Sequence, residues 1–537
     1  HKPKKQAKAK GLGEEKVSVG LTLVQLAKFK QIPIDVLTSF GLSEISHTSK
    51  TVVKVPYCNE EGQEVAVRFR LSTDGKNKFK WRTGDKPVLY GLDRLGDTKE
   101  VTLVEGESDC WTLWSYKFPA LGVAGNSNWN EKRDSKYFAS VEKVFVVIEN
   151  DKSGEGTLRW LQESEIRHRS HLVYLGEADD PSGLHLQTAG FFPKDFQKAL
   201  DNAIPFSEWK KQEENKAELE DQRVADEALQ NCKELAYSKD IFSEFDKKVS
   251  ETGFVGDNVI VRGIFIALLS RLTDKPISVL VKGPSGGSKS FSLDTALKFF
   301  RQEEDYFDLT SMSDKALHNY NGDVQHKFII MFEGGYESQS LSTALRTLIS
   351  EGVLRYMVSV KDPETESWHS EIKELAGPTG YMSTTTKGLN PENENRCLIF
   401  NTDDSAELTN KVVDKVFERA FDHKKEQAVK EISFDDWHNL QTVLKVAPKY
   451  VDIPYANALK KLLGKKHPLR MRRDVNHIVQ FINCHAMLHF KTRKVIDGAI
   501  QATIADYRAI YPIVCKPIAE SIGVSTSEDM IATVEAL

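Results

Sequence analysis

The tract ISVLVKGPSGGSKSFSLDTALKFF, residues 277–300, constrains this chain most. An apolar run of strand length enters a glycine-rich loop, and a helix-forming segment leaves it. GPSGGSKS fits the pattern G-x-x-x-x-G-K-S/T, except that Ser288 takes the place of the second glycine. Such a loop closes backbone N–H groups around a phosphate at a helix N-terminus, where the helix dipole favours an anion. Gly283, Pro284, Ser285, Gly286, Gly287, Ser288, Lys289 and Ser290 are therefore assigned to ATP, with Lys289 on the β/γ-phosphates and Ser290 on Mg²⁺. Ser288 adds a side chain where the loop is ordinarily bare, which weakens binding if that position needs φ > 0. A strand, loop and helix of this kind require a sheet covered by helices, so the fold class is α/β.

With 537 residues the chain exceeds one core, since domains run to about 100–200 residues. We read a basic flexible tail over 1–18, a basic α/β subdomain over 19–97 and a βα domain over 98–205. A charged stretch without Gly or Pro, 206–238, reads as a helical linker. A second α/β block covers 239–405, and a mostly helical lid and DNA-binding part covers 406–537. No stretch of about 18 apolar residues is present, which argues against a membrane span. The six cysteines are scattered, with no CxxC pair, which argues against a cysteine-pair zinc site and suits a reducing cytoplasm. No signal peptide is expected from the HKPKKQAKAK start. The net charge of −5 leaves nucleic-acid contact to local patches.

Two strand ends carry acids. VTLVEGESDCWTLW places Glu105 after a buried strand and Asp109 on the following helix. VFVVIENDKSGEG repeats the arrangement with Glu149 and Asp151, two apart and on one face if extended. Chemistry collects at the C-terminal ends of parallel strands. Carboxylates with no basic partner nearby in sequence repel one another unless a hard cation intervenes, and Mg²⁺ (or Mn²⁺) is the natural occupant. Read the other way, acids after strands cap helices or solvate loops. Upstream, Arg68, Arg70, Lys76, Lys78, Lys80 and Arg82 alternate with Phe79 and Trp81 interleaved. This suits a nucleic-acid backbone and stacked bases, and equally a solvated edge strand.

These residues resemble the TOPRIM fold, whose pattern is a strand, EGxxD, then a strand ending in DxD. Glu105, Gly106 and Asp109 match, then Glu149 and Asp151, with Glu149 in place of the first Asp. Asp179 and Asp180 follow where such folds often carry a further acid. The resemblance implies acid–base or metal chemistry at Glu105 and Mg²⁺ on the later pair. Pro56, Gly62, Arg70, Lys80 and Leu89-Tyr90-Gly91-Leu92 match the layout that precedes these acids in bacterial and phage primases. The family's zinc finger is absent from the sequence. By the same resemblance Arg68, Arg70, Lys78, Lys80 and Arg82 contact single-stranded DNA, and nucleotides are joined by two-metal phosphoryl transfer.

KFIIMFEGG resembles a Walker B strand ending in Glu333, which would polarise the attacking water; Phe332 stands where an Asp is usual. A hairpin through KDPETES, the strand GYMSTTT and a later Arg resemble the MCM-like AAA+ ATPases. That resemblance implies Thr385 as γ-phosphate sensor, Arg396 as a finger reaching a neighbour's ATP, and Lys361 as a DNA contact. A finger offered in trans implies a homo-oligomeric ring, a hexamer. The cluster Lys465, Lys466, Arg470, Arg472 and Arg473 is assigned to the lid or to DNA, and His477 and His485 to structure. A primase–helicase of a mobile element is the favoured reading. An ATP-dependent TOPRIM nuclease, or a helicase with a non-catalytic TOPRIM module, stays open.

Overall fold

A computed structural model describes residues 20–47, 50–73, 78–188, 190–286, 288–334, 338–361, 368–387, 390–402, 405–421, 431–463 and 470–521. The tail 1–18, Lys76, Gly287, Lys465, Lys466 and the side chain of Lys361 lie outside what is described. The chain divides into two compact units, His1–Glu218 and Leu219–Leu537. The boundary falls within the helix Phe206–Asn231, in the segment expected to be a helical linker.

The first unit holds two sheets. Strands β1 (Ser43–His47), β2 (Lys50–Cys58), β3 (Glu64–Arg70) and β4 (Phe79–Trp81) form an antiparallel meander. Strands β5 (Glu100–Val104), β6 (Ala120–Gly122), β7 (Lys143–Val147), β8 (Ser170–Val173) and β9 (Ile204–Pro205) form a second sheet in the order β6-β5-β7-β8-β9. All its pairs are parallel except β8 with β9. The expected apolar runs are β5 and β7. Their near-continuous burial is what a sheet covered on both faces demands. One core cluster joins Val53, Val55 and Tyr57 of the meander to Val104 and Phe145 of the second sheet and to Trp111 of the helix Glu107–Ser115. The two stretches expected as separate domains, 19–97 and 98–205, therefore share apolar packing.

The second unit centres on β10 (Val279–Lys282), β11 (Tyr306–Leu309), β12 (Lys327–Met331), β15 (Thr379–Thr385) and β16 (Leu398–Asn401). They form an all-parallel sheet in the order β11-β12-β15-β10-β16. The expected hairpin is β13 (Val353–Lys361) with β14 (Trp368–Ala376), paired antiparallel from Val353↔Ala376 to Lys361↔Trp368. In the region 406–537, expected to be a mostly helical lid and DNA-binding part, Trp437, Phe481, Ile482 and Ile513 share one core with Phe245, Phe265, Val281 and Ile330. A small sheet of Tyr450–Asp452, Val495–Ile496 and Ala499–Gln501 also sits within this C-terminal part. Elsewhere in the second unit Arg271 and Asp305, each 1% exposed, form an ion pair at 2.8 Å, and Arg271 also donates to Gln441 at 3.1 Å.

Candidate active site and phosphate-binding loop

In the first unit, β5 and β7 are parallel neighbours with Leu103 opposite Val146, so Glu105 and Glu149 emerge at the same edge. The turn after Glu149 is tight. A side chain at Gly154 would place its Cβ 2.0 Å from the Glu149 carbonyl oxygen, so only glycine lets the helix Lys152–Glu163 start there. Asp151 is the N-cap of that helix, its Oδ1 accepting from the Ser153 and Gly154 N–H groups at 2.8 and 3.3 Å. The helix-capping alternative is thus realised for Asp151, through one of its two oxygens. Glu105 accepts from the Ser153 hydroxyl and from the Asn126 backbone N–H.

The carboxylates act on one another. Burial pushes the Glu149 carboxyl up to about 8, helped by Glu105, Asp109, Asp180 and Asp151. Burial raises Glu105 as well, with Asp151 adding to it against the hydrogen bonds it accepts. Asp109 is 4% exposed and accepts from the Ser182 N–H at 3.1 Å. Burial pushes it up to about 7, with Asp180 acting in the same direction and Lys30 opposing. The structure therefore brings Glu105, Asp109, Glu149 and Asp151 together, and adds Asp180. A residue distant in sequence, Lys30, buried at the end of the helix Leu23–Lys30, acts on Asp109 and Asp180. No cue near the acids in the sequence points to it, because it lies far upstream in a helix whose lysines look solvated.

These donors fit a hard divalent cation. They are carboxylate oxygens, partly buried and mutually repelling, and Mg²⁺ needs only one or two carboxylates beside water and substrate phosphates. Among the described residues no three acids close into a ready-made cage. Glu105, Glu149 and Asp151 are the residues that would hold such an ion.

The cation ladder expected over 68–82 divides in two. Arg68 and Arg70 face Trp81 and Phe79 across β3 and β4. Arg70 is 2% exposed, stacked over Phe79 at 4.9 Å and Trp111 at 5.8 Å, so it is part of the core rather than a solvent-facing contact. Arg68 stacks over Phe79 at 4.4 Å and pairs with buried Glu107 at 2.9 Å. Glu107 also accepts from the Tyr57 hydroxyl at 2.5 Å, which fastens the meander to the helix Glu107–Ser115. Arg82 pairs with Glu64 and Asp85. Lys78 and Lys80 are exposed, on the strand positions alternate to the two aromatic rings.

In the second unit the glycine-rich loop runs from the end of β10 into the helix Lys289–Leu297. Gly286 has φ +81°, and Ser288 adopts φ +57°, the left-handed conformation that a glycine would take without cost. The Lys289 ammonium donates to the Pro284 carbonyl at 2.6 Å. Burial lowers its pKa and the charge of Glu333 opposes, so the two lie near one another. Ser290 and Glu333 line one cavity of about 350 Å³, with Thr310 and Ser311 at the end of β11. Two residues were missed. The Thr384 hydroxyl accepts the Glu333 N–H at 3.2 Å, while Thr385, expected as the sensor, is buried and accepts from the Lys387 N–H. Thr402 packs so closely on Gly283 that a Cβ there would lie 1.9 Å from its hydroxyl.

Arg396 lies two residues before β16, and β16 pairs in parallel with β10 from Val279↔Leu398 to Lys282↔Asn401. It therefore sits at the sheet edge opposite the glycine-rich loop. There it donates to the Ser350 hydroxyl at 2.5 Å and lines a cavity of about 510 Å³ with Arg473, Lys275 and His477. His485 Nδ1–H donates to Asp506 Oδ1 at 2.8 Å. All six cysteines are free. Among the described residues no helix is long and apolar enough to cross a membrane.

Comparison with known proteins adds the following. Residues 220–445 match the family model described as MTBMA_p00010 P-loop domain. A curated relative, Gene 57 protein of Mycobacterium phage D29, is 31% identical over 90 residues; the match takes 17% of this chain and spans 59% of that relative's length. Solved structures with likeness to part of the chain include a DnaG primase catalytic domain bound to ssDNA. It is 14% identical, with 35% of this chain and 74% of that one covered, at a TM-score of 0.30. The primase fragment of the bacteriophage T7 primase-helicase protein is 16% identical, with 36% and 81% covered, at 0.28. A DNA primase domain from Pseudomonas aeruginosa is 22% identical, with 33% and 61% covered, at 0.26. Residues 220–445 thus match a P-loop domain.

Proposed function

We propose that this chain is a DNA primase–helicase: a primer-synthesising site in the first unit and an ATP-driven DNA motor in the second. The observation that carries the proposal is the gathering of Glu105, Asp109, Glu149, Asp151 and Asp180 at the C-terminal edge of one parallel sheet, in a chain that also holds a P-loop domain. When bound, Mg²⁺ (or Mn²⁺) lowers the pKa of an attacking hydroxyl and neutralises phosphate charge. The protein's part is to hold the donors. Gly154 admits the turn that presents Glu149, and Ser153 and Asn126 orient Glu105. Lys78 and Lys80 offer exposed charge to single-stranded DNA.

In the motor, the loop 283–290 cradles the phosphates, Ser290 faces the metal position and Glu333 orients water across the same cavity. Arg396 serves a neighbouring copy, which makes the working form a ring, in our reading a hexamer. The hairpin β13–β14 contacts DNA. The chain works in the cytoplasm.

The test is primer synthesis on single-stranded DNA with ribonucleotides and Mg²⁺, beside ATP hydrolysis. Asp151→Ala should lose primers and keep ATPase; Lys289→Ala should do the reverse. One substitution abolishing both activities in a folded protein would contradict the two-site reading. The engagement of Asp151 Oδ1 in a helix cap favours a second reading, a module that loads the motor without chemistry. Calorimetry with Mg²⁺ decides: unaltered binding in Asp151→Ala supports that module.

A further inference from the structure

Lys30 occupies an unusual place for a lysine. It is 8% exposed, and its ammonium donates to the Ser182 hydroxyl at 2.7 Å. Ser182 in turn donates its N–H to Asp109 Oδ1 at 3.1 Å, and Gly183 donates to Asp180 Oδ1 at 2.5 Å. One serine thus receives the ammonium and holds the carboxylate. Asp109 and Asp180 stand close enough to act on the charge of Lys30. The placement is built in. The helix Leu23–Lys30 ends at Gln31 with φ +52°, and the Gln31 carbonyl meets His185 Nε2 at 3.4 Å on the helix Pro181–Thr188.

A buried ammonium is costly unless paired, and so is a buried carboxylate pair. Here Ser182 links the two, taking the ammonium on its hydroxyl and holding Asp109 through its N–H. A divalent ion between Asp109 and Asp180 would lie beside this ammonium in a low-dielectric setting, where like charges repel strongly. At the other end, burial and neighbouring carboxylates raise Glu105 and Glu149, opposed at Glu105 by hydrogen bonds from Ser153 and Asn126.

We propose that Lys30 is a resident counter-cation for Asp109 and Asp180, so that the cluster takes a single divalent ion, at its Glu105–Glu149–Asp151 end. Lys30 is then a positioning residue in place of a second metal. This inference rests on the primase reading above, and departs from two-metal transfer.

The experiment counts Mn²⁺ bound to the full, nucleotide-free chain from the loss of the free ion's electron paramagnetic resonance signal. Wild type should bind one ion, and Asp151→Ala should weaken that ion at least tenfold. Lys30→Met should gain a second ion; Lys30→Arg should stay at one. Two ions in wild type would overturn the inference and leave the primase reading standing, whereas none would overturn both. A count of one in Lys30→Met with an unchanged melting temperature would also overturn it. Should Lys30→Met fail to fold, Lys30→Gln, which keeps a donor for Ser182, is counted in its place under the same criteria.

Discussion

The backbone N–H of Glu333 donates to the side-chain hydroxyl of Thr384 at 3.2 Å, which fastens the turn after β12 to the neighbouring strand β15. Glu333 holds φ +61°, a conformation that costs about 1 kcal/mol or more for a residue with a side chain and needs such support. Thr384→Val keeps the shape and removes the acceptor. Losing about 1–1.5 kcal/mol of positioning corresponds to roughly a tenfold loss in kcat. Steady-state ATPase assays should show that drop with nucleotide affinity within about twofold; an unchanged kcat would detach Glu333 from hydrolysis.

Ser288 offers the opposite case, since its strain can be removed. Its φ of +57° is the region where glycine has no Cβ penalty. Ser288→Gly should stabilise the loop by up to about 1 kcal/mol, seen as several-fold tighter binding of a non-hydrolysable ATP analogue. Weaker binding would show that the serine side chain itself serves the nucleotide.

The pair Arg271–Asp305, with Gln441, is buried on every side. Removing one partner leaves an unpaired buried charge, so Asp305→Ala should cost about 3–5 kcal/mol in denaturant unfolding of the second unit. A loss under about 1 kcal/mol would mean the site admits water.

Asp506 sets an acid limit on stability. Burial pushes its pKa up, but hydrogen bonds from His485, Arg493 and the Thr503 N–H hold it well below the usual carboxylate range. Its folded value lies below the unfolded one, so its contribution is full above about pH 5 and is lost as the pH falls further. Between about pH 5 and pH 3 the wild type should therefore lose more stability than Asp506→Asn in urea titrations. Equal losses would show that the network does not hold the charge.

Arg70 and Lys80 separate core from contact. Arg70→Ala should lower the melting temperature, because its guanidinium fills the space between Phe79 and Trp111. Lys80→Ala should leave melting unchanged, weaken single-stranded DNA binding a few-fold, and reduce the salt slope by about 0.7. Fluorescence anisotropy across a salt series reads both.

The parts visible in the sequence are those whose signal is local. The strands β5, β7, β10 and β12 are apolar runs, and the acids and glycines that follow them are adjacent in the chain. What escaped notice depends on distant partners. Arg70 alternates in sequence like a solvent-facing residue, yet two rings supplied by Phe79 and Trp111 enclose it. Lys30 meets Ser182 across 152 positions. Thr384 and Thr385 are equally polar neighbours, and only the folded structure shows that the Thr384 hydroxyl takes the Glu333 N–H. The C-terminal helices showed ordinary amphipathic patterns, which do not reveal whose core they complete.

Arg396 and the glycine-rich loop occupy opposite rims of one sheet, and the four-residue pairing of β10 with β16 fixes their separation. No rearrangement short of unzipping those strands lets a single polypeptide bring its own arginine to its own nucleotide. On the proposed reading of Arg396 as a finger for a neighbouring copy, turnover is a collective property. Its specific rate should climb with protein concentration and collapse on dilution, and a population mixing Arg396→Ala with Lys289→Ala chains would recover part of what each lacks alone.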